Sequence, residues 1–196
     1  MRYSFLIDTY ETEILKVASA WSMFRDEDLE ARPNPSDRRG RSFREHMVHQ
    51  CMSEDGWFKN MLGIDVGAPP LPKSETRIEF IRRYAEDAGK RLLALRQKDE
   101  SWWEEEVSFF KTRRSRAWIM VRRIAHTSHH RGQQLALLRV LNREVYSNYG
   151  PSADTGGLPQ NQAPVIYAYP NLTALLNGLP KAELPPPSSG PVSERP

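Results

Sequence analysis

The sequence contains almost no cysteine, and none of its apolar runs is long. Cys51 is the only cysteine among 196 residues, which excludes an intrachain disulfide and a cysteine-based zinc cluster. The apolar runs fall well short of the ~18 residues that a membrane span needs. Three acidic residues, Asp8, Glu11 and Glu13, occupy the segment where a signal peptide would be apolar, so we expect no export signal. These absences predict a soluble, cytoplasmic protein with no membrane partner.

The chain also lacks a strong charge of one sign. Lysine and arginine total 28 against 25 aspartates and glutamates, a net charge of +3. Nucleic-acid-binding proteins usually have a larger and clustered basic excess. The one basic run lies within 111–123 and has Trp118 interleaved: Lys111, Arg113, Arg114, Arg116, Arg122 and Arg123. Three glutamates at 104–106 precede the run and offset it, so nucleic-acid binding is the weakest of our interpretations and we expect no nucleic-acid partner.

No proline occurs between 73 and 150, whereas ten of the 15 prolines follow position 150. Apolar residues recur at three- and four-residue spacing in Pro-free segments, which predicts helices over about 4–23, 43–62, 75–97 and 116–141. Ser42 with Glu45 has the spacing of a capping box, and Ser74 and Ser115 are candidate N-caps. No segment alternates with period two for long, and the best strand candidate is 106–110. The pattern predicts an all-α protein, a four-helix bundle.

The composition changes after the fourth helix, which predicts three regions. Residues 1–146 form the bundle, and residues 147–179 form a loop and a short helix that pack on it. Residues 180–196 are rich in proline and poor in apolar residues, so we expect an irregular, disordered tail.

The five histidines all lie on the second and fourth predicted helices. His126 and His130 are four residues apart, so both rings project from one helical face, as in helices that offer two imidazoles to a metal. His49 is the natural third ligand, because its face must point inward if Trp57 is buried. Three histidines leave coordination positions open, as in catalytic metal sites. We expect His129 at the surface, and His46 is an alternative ligand or a supporting group.

The segment 126–133, His-Thr-Ser-His-His-Arg-Gly-Gln, resembles the HxxxHRGQ signature of the DinB/YfiT-like metalloenzyme superfamily. His49, followed eight residues later by Trp57 and Phe58, is similar to the second-helix pattern of that superfamily, and residues 149–154 resemble a segment that follows the bundle in longer members. The resemblance covers about residues 1–155 and leaves the C-terminal extension uninterpreted.

The resemblance implies a four-helix bundle, commonly a homodimer, with a divalent metal held by His49, His126 and His130. The metal, which the sequence does not identify, would be Zn, Ni, Fe or Mn. Related members are S-transferases or isomerases that use a low-molecular-weight thiol. The resemblance therefore implies a metal-dependent enzyme acting on a small-molecule substrate, by thiol transfer first or by hydrolysis as the alternative.

The remaining residues of the motif allow two interpretations each. Arg131 would bind either an anionic substrate group or a carboxylate of a neighbouring helix. Gln133 has the spacing to orient the imidazole of His130, and close helix packing would explain Gly132. Glu54 is either a general base or a solvent-facing carboxylate, so no catalytic residue is assigned. The competing functional class is a non-catalytic bundle that binds a metal or a partner.

Overall fold

The computed structural model describes residues 2–186, and four long helices dominate it. In chain order the elements are α1 Ser4–Met23, α2 Phe43–Asn60, α3 Arg77–Arg96, α4 Glu100–Glu104, β1 Glu106–Phe109, β2 Thr112–Ser115, α5 Arg116–Val140 and α6 Leu172–Leu176, with three single 3₁₀ turns between them. The all-α prediction is confirmed, and the four long helices agree with the predicted ones to within two residues at either end.

The helix termini show which capping predictions hold. Ser42 accepts a hydrogen bond from the amide of Glu45, and the Glu45 side chain accepts one from the amide of Ser42, so the predicted capping box starts α2. Ser115 caps α5. The prediction for α3 is wrong, because Thr76 and not Ser74 accepts the hydrogen bond from the first turn.

The bundle forms because α1 packs against α3 and α5, and α2 packs against the same two helices. Aromatic rings fill the centre: Trp21 and Tyr84 lie 5.1 Å apart between centroids, and Phe24 stacks on Phe43 at 3.7 Å. These four residues are essentially inaccessible to solvent. A core of this kind holds α2 and α5 side by side, which is what brings their histidines together.

Between α4 and α5 the chain forms an antiparallel hairpin in which Glu106 pairs with Ser115 and Phe109 with Thr112. The sequence indicated a strand only for 106–110. The second strand, Thr-Arg-Arg-Ser, carries no apolar alternation and pairs through its backbone. Phe110 occupies the turn with a φ of 52° and is 73% exposed.

Residues 147–186 run over the bundle. The Asn148 amide donates to the carbonyl of Lys16 in α1 at 2.8 Å, and α6 begins at its N-cap Asn171. The Tyr146 hydroxyl donates to the carbonyl of Ala182 at 2.8 Å, so residues 180–186 lie against the body of the protein. The rest of the tail that we expected to be disordered, 187–196, lies outside the described residues.

Across residues 2–186, the structure contains no helix with the length and apolarity needed to cross a membrane.

Candidate metal centre

His49 of α2 and the pair His126 and His130 of α5 converge on one point. The Nε2 atom of His130 lies 3.0 Å from that of His49 and 3.2 Å from that of His126. One nitrogen from each ring lies within 4.8 Å of the other two. The structure thus brings together the three histidines that the sequence singled out.

The spacing of these nitrogens fits a bound metal ion. In a tetrahedral site with metal–nitrogen distances of about 2.05 Å, two ligand nitrogens are about 3.3 Å apart. The distances of 3.0 and 3.2 Å are close to that value. The donor set consists of imidazoles alone, which suits first-row metals such as zinc, nickel and iron.

Gln133 holds the ring of His130 in the orientation that a metal ligand needs. The Nδ1 atom of His130 lies 3.0 Å from Oε1 of Gln133, and the Gln133 amide nitrogen lies 3.2 Å from Nε2 of His129. A proton on Nδ1 donated to the amide oxygen leaves Nε2 as the free lone pair. The prediction that Gln133 orients His130 agrees with this contact.

The environment keeps these imidazoles neutral. Burial, together with nearby positive charge, lowers the pKa of His49 to about 4 and that of His126 to about 3. Burial also lowers the pKa of His130, against the opposing effect of its bond to Gln133. Neutral imidazoles at pH 7 are the form that binds a metal.

The centre opens to one side through a cavity of about 410 Å³. The lining residues are Arg41, His49, Arg122, His126, His129 and His130. Within the described part of the chain, no carboxylate belongs to this lining. Arg41 and Arg122 are both exposed at the cavity mouth.

An aromatic ring closes another side of the centre. Trp57 stacks on the ring of His126, with centroids 5.8 Å apart and planes at 27°. The guanidinium carbon of Arg123 lies 5.6 Å from the centroid of the Trp57 ring. Trp57 is only half-buried, and Phe109 of the hairpin meets it edge-on at 5.4 Å. The hairpin therefore supports the indole against the histidine.

Glu54 lies in the interior, so the interpretation of a solvent-facing carboxylate is wrong. Its side chain is 0% exposed and accepts hydrogen bonds from the hydroxyls of Tyr10 at 2.7 Å and Tyr84 at 3.2 Å. Arg91 donates to it at 3.3 Å, and Arg123 lies 3.7 Å away. With two phenols and two guanidinium groups around it, Glu54 organises the core and is not free to act as a general base.

Arg123 links this buried network to the centre. It donates to the hydroxyls of Ser53 at 3.0 Å and Thr127 at 3.1 Å, while its guanidinium also faces Trp57. This network could not be predicted from the sequence, because its members come from four different helices.

The other candidate residues have structural roles. Arg131 pairs with the buried carboxylate of Glu13 in α1, so its partner is a neighbouring helix. His46 is buried, lies edge-on to His130 at 5.8 Å and stands outside the three-nitrogen cluster. His129 is exposed, as expected. The explanation offered for Gly132 is wrong, since a Cβ atom there would meet nothing within 4 Å.

The basic run does not form one binding face. Arg123 is buried, Arg116 pairs with Glu105 at 2.5 Å, and the Arg114 guanidinium lies over Trp118. Arg122 alone of the run lines the histidine cavity. The charges that are adjacent in sequence are therefore spread over the interior, the hairpin and the cavity mouth.

Comparison with known proteins identifies the class of this fold. The sequence profile of the DinB family matches residues 16–160, and the chain therefore belongs to the DinB family. A DinB-like protein of Bacillus cereus has 16% sequence identity and a TM-score of 0.64, covering 72% of this chain and 94% of its own. A DinB-like protein of Bacillus subtilis has 13% identity and a TM-score of 0.51, covering 70% and 92%. Sequence identities this low support a shared fold and nothing more. The comparison with curated proteins found no match.

Proposed function

We propose that this protein is a metal-dependent enzyme that acts on a small molecule, with one divalent ion held by His49, His126 and His130. The convergence of three neutral imidazole nitrogens beside a cavity is the observation that carries the proposal. Three protein ligands leave at least one coordination position for water or substrate. A divalent metal at this point would lower the pKa of a bound water or thiol, or polarise a carbonyl group.

The surrounding residues would position the ligands and exclude water from one side. Gln133 fixes the tautomer of His130, and Trp57 covers one face of His126. The cavity, whose lining does not include Trp57, is the route by which a substrate would reach the centre. Gln133 and Trp57 both contact the histidines directly, so side chains of the protein itself organise the site.

Thiol transfer is the first candidate reaction and hydrolysis the second. Metal-assisted hydrolysis can use a carboxylate as its general base, as the glutamate of an HExxH metalloprotease does. The cavity lining contains none among residues 2–186, and Glu54 is committed to the core. A thiol becomes a nucleophile by losing its proton, with a pKa near 8.5 that a metal lowers. The absence of a carboxylate from the described lining therefore favours a low-molecular-weight thiol as co-substrate.

Metal analysis with a matched pair of variants tests the proposal. We expect about one Zn, Ni, Fe or Mn ion per chain in protein purified without chelator. His126→Ala should lose it, because one of three ligands is gone. His129→Ala, three residues away and exposed, should keep it.

Equal metal content in the two variants, or no metal in the wild type after reconstitution with each ion, would refute the three-histidine centre. Bound metal with no turnover of any thiol and electrophile pair would favour the alternative of a non-catalytic metal-binding bundle.

A further inference from the structure

The mouth of the histidine cavity carries positive charge that the protein leaves unpaired. Arg41 directly precedes the N-cap of α2, and Arg122 lies one helical turn before His126 on α5. Neither has a carboxylate oxygen within 4.0 Å in the part of the chain that the structure describes. Most other arginines do pair in this way: examples are Arg32 with Glu45, Arg96 with Glu11 and Arg143 with Asp28. The two exceptions at the mouth face the same space.

A bound metal ion would increase the excess of positive charge in this cavity. The three imidazoles are neutral ligands, so an ion at the centre keeps its two positive charges. Two guanidinium groups then share the cavity with it, and the lining offers no acidic side chain. A cleft with charge of one sign concentrates ligands of the opposite sign. Guanidinium is also the side chain whose planar donors match a carboxylate or phosphate.

We infer that the substrate or co-substrate of this centre is a small organic anion, whose acid group binds Arg41 and Arg122 while its reacting atom reaches the open side of the metal. The inference rests on the proposed function and names the class of molecule that the site accepts. It assigns Arg41 and Arg122, which the sequence did not single out as a pair, to substrate binding.

Cobalt(II) and two thiols of equal length test the inference. The probes are 3-mercaptopropionate, which carries a carboxylate, and 3-mercapto-1-propanol, which carries none. Sulfur-to-cobalt absorption reports binding of either thiol at the metal. In the wild type the carboxylate probe should bind about tenfold more tightly or better, because charge-assisted hydrogen bonds from arginine are among the stronger ones.

The variants separate the arginines from other sources of preference. The double variant R41Q/R122Q should lose the preference between the two thiols. R113Q/R114Q removes the same two charges from exposed arginines of the hairpin, outside the cavity, and should keep the preference. Without thiol and at low ionic strength, R41Q/R122Q should bind cobalt more tightly than the wild type, since two repelling charges are gone.

The possible results distinguish the anion-binding inference from the metal centre and from thiol transfer. Equal binding of the two thiols by the wild type, or a preference that persists in R41Q/R122Q, would overturn the inference and leave the metal centre intact. If the wild type bound no cobalt, the proposed function itself would fail. If cobalt bound and neither thiol did, thiol transfer would be refuted. The inference would then depend on the cobalt affinity of R41Q/R122Q relative to the wild type. An unchanged affinity would overturn the inference, and a higher affinity would support it.

Discussion

Replacing Glu54 with glutamine should destabilise the protein far more than a surface change of the same kind. Among residues 2–186, the Glu54 carboxylate is the only negative charge that contacts both Arg91 and Arg123, at 3.3 and 3.7 Å, and it accepts hydrogen bonds from Tyr10 and Tyr84. Glutamine keeps the shape and one acceptor oxygen. It removes the charge and places an amide donor among groups that are themselves donors.

The size of the effect follows from the partners that remain. Removing one member of a buried ion pair typically costs about 3–5 kcal/mol, because the other charge stays buried and uncompensated. Arg91 retains Asp55 at 3.1 Å, and Arg123 retains the hydroxyls of Ser53 and Thr127. These partners reduce the penalty, so we expect a loss of about 3 kcal/mol in the free energy of unfolding, near the lower end of the range.

Urea denaturation of the metal-free protein measures this loss directly. Glu86→Gln is the matched control, because Glu86 makes an exposed pair with Arg83 and such pairs contribute about 0.2–1 kcal/mol. Tyr10→Phe, which deletes one neutral donor to the carboxylate, should fall between the two at about 1–2 kcal/mol. A loss below about 1 kcal/mol for Glu54→Gln would refute the reasoning. Such a loss is typical of breaking a surface ion pair and too small for removing the anion of a buried charge network.

Three further predictions concern other parts of the chain. Gly132→Ala should raise the free energy of unfolding by up to about 1 kcal/mol, because the site is helical and a Cβ meets open space; a loss of stability would contradict the packing around α5. Burial lowers the pKa of His46 to about 4, so the unfolded chain binds a proton below about pH 6.5 before the folded one does, and stability falls as the pH drops from 6.5 towards 4. His46→Asn should remove on the order of 2 kcal/mol of the difference between pH 7.5 and pH 5 in metal-free protein, and an unchanged difference would show that His46 titrates normally. Zinc at a hundred times its dissociation constant should stabilise the wild type by about 2.7 kcal/mol, and a thermal shift of equal size in His126→Ala would place the ion elsewhere.

The fold was largely predictable because local signals agree with tertiary structure over the long helices. Proline is absent where α3 and α5 run, and apolar stripes of helical period mark each long helix. The capping box at Ser42 fixes the start of α2 through residues three apart. Thr76 was missed at α3 because it and Ser74 are both good caps, and the sequence alone does not distinguish them. The second strand of the hairpin was missed because its four residues are mostly polar and pair only through the backbone.

The site was predictable where it depends on helical spacing and hidden where it depends on tertiary contact. His126, His130 and Gln133 lie three or four residues apart on one helix, so their relation can be read from sequence. Arg41 comes from the loop before α2, and no periodicity connects it to α5. The buried position of Glu54 was missed for a related reason, since its partners lie 30 to 69 positions away along the chain.

The three histidines join positions that are distant along the backbone. His49 and His130 are 81 positions apart, and the segment between them contains α3, α4 and the hairpin. An ion shared by these rings would act on the chain as a cross-link. A covalent cross-link that closed a loop of this length would lower the entropy of the unfolded state, which corresponds to a stabilisation on the order of 4–5 kcal/mol at 25 °C. α1 and the C-terminal extension lie outside that loop, so the two ends of the chain would still depend on packing, on the Glu13–Arg131 ion pair and on hydrogen bonds such as the one from Asn148 to Lys16.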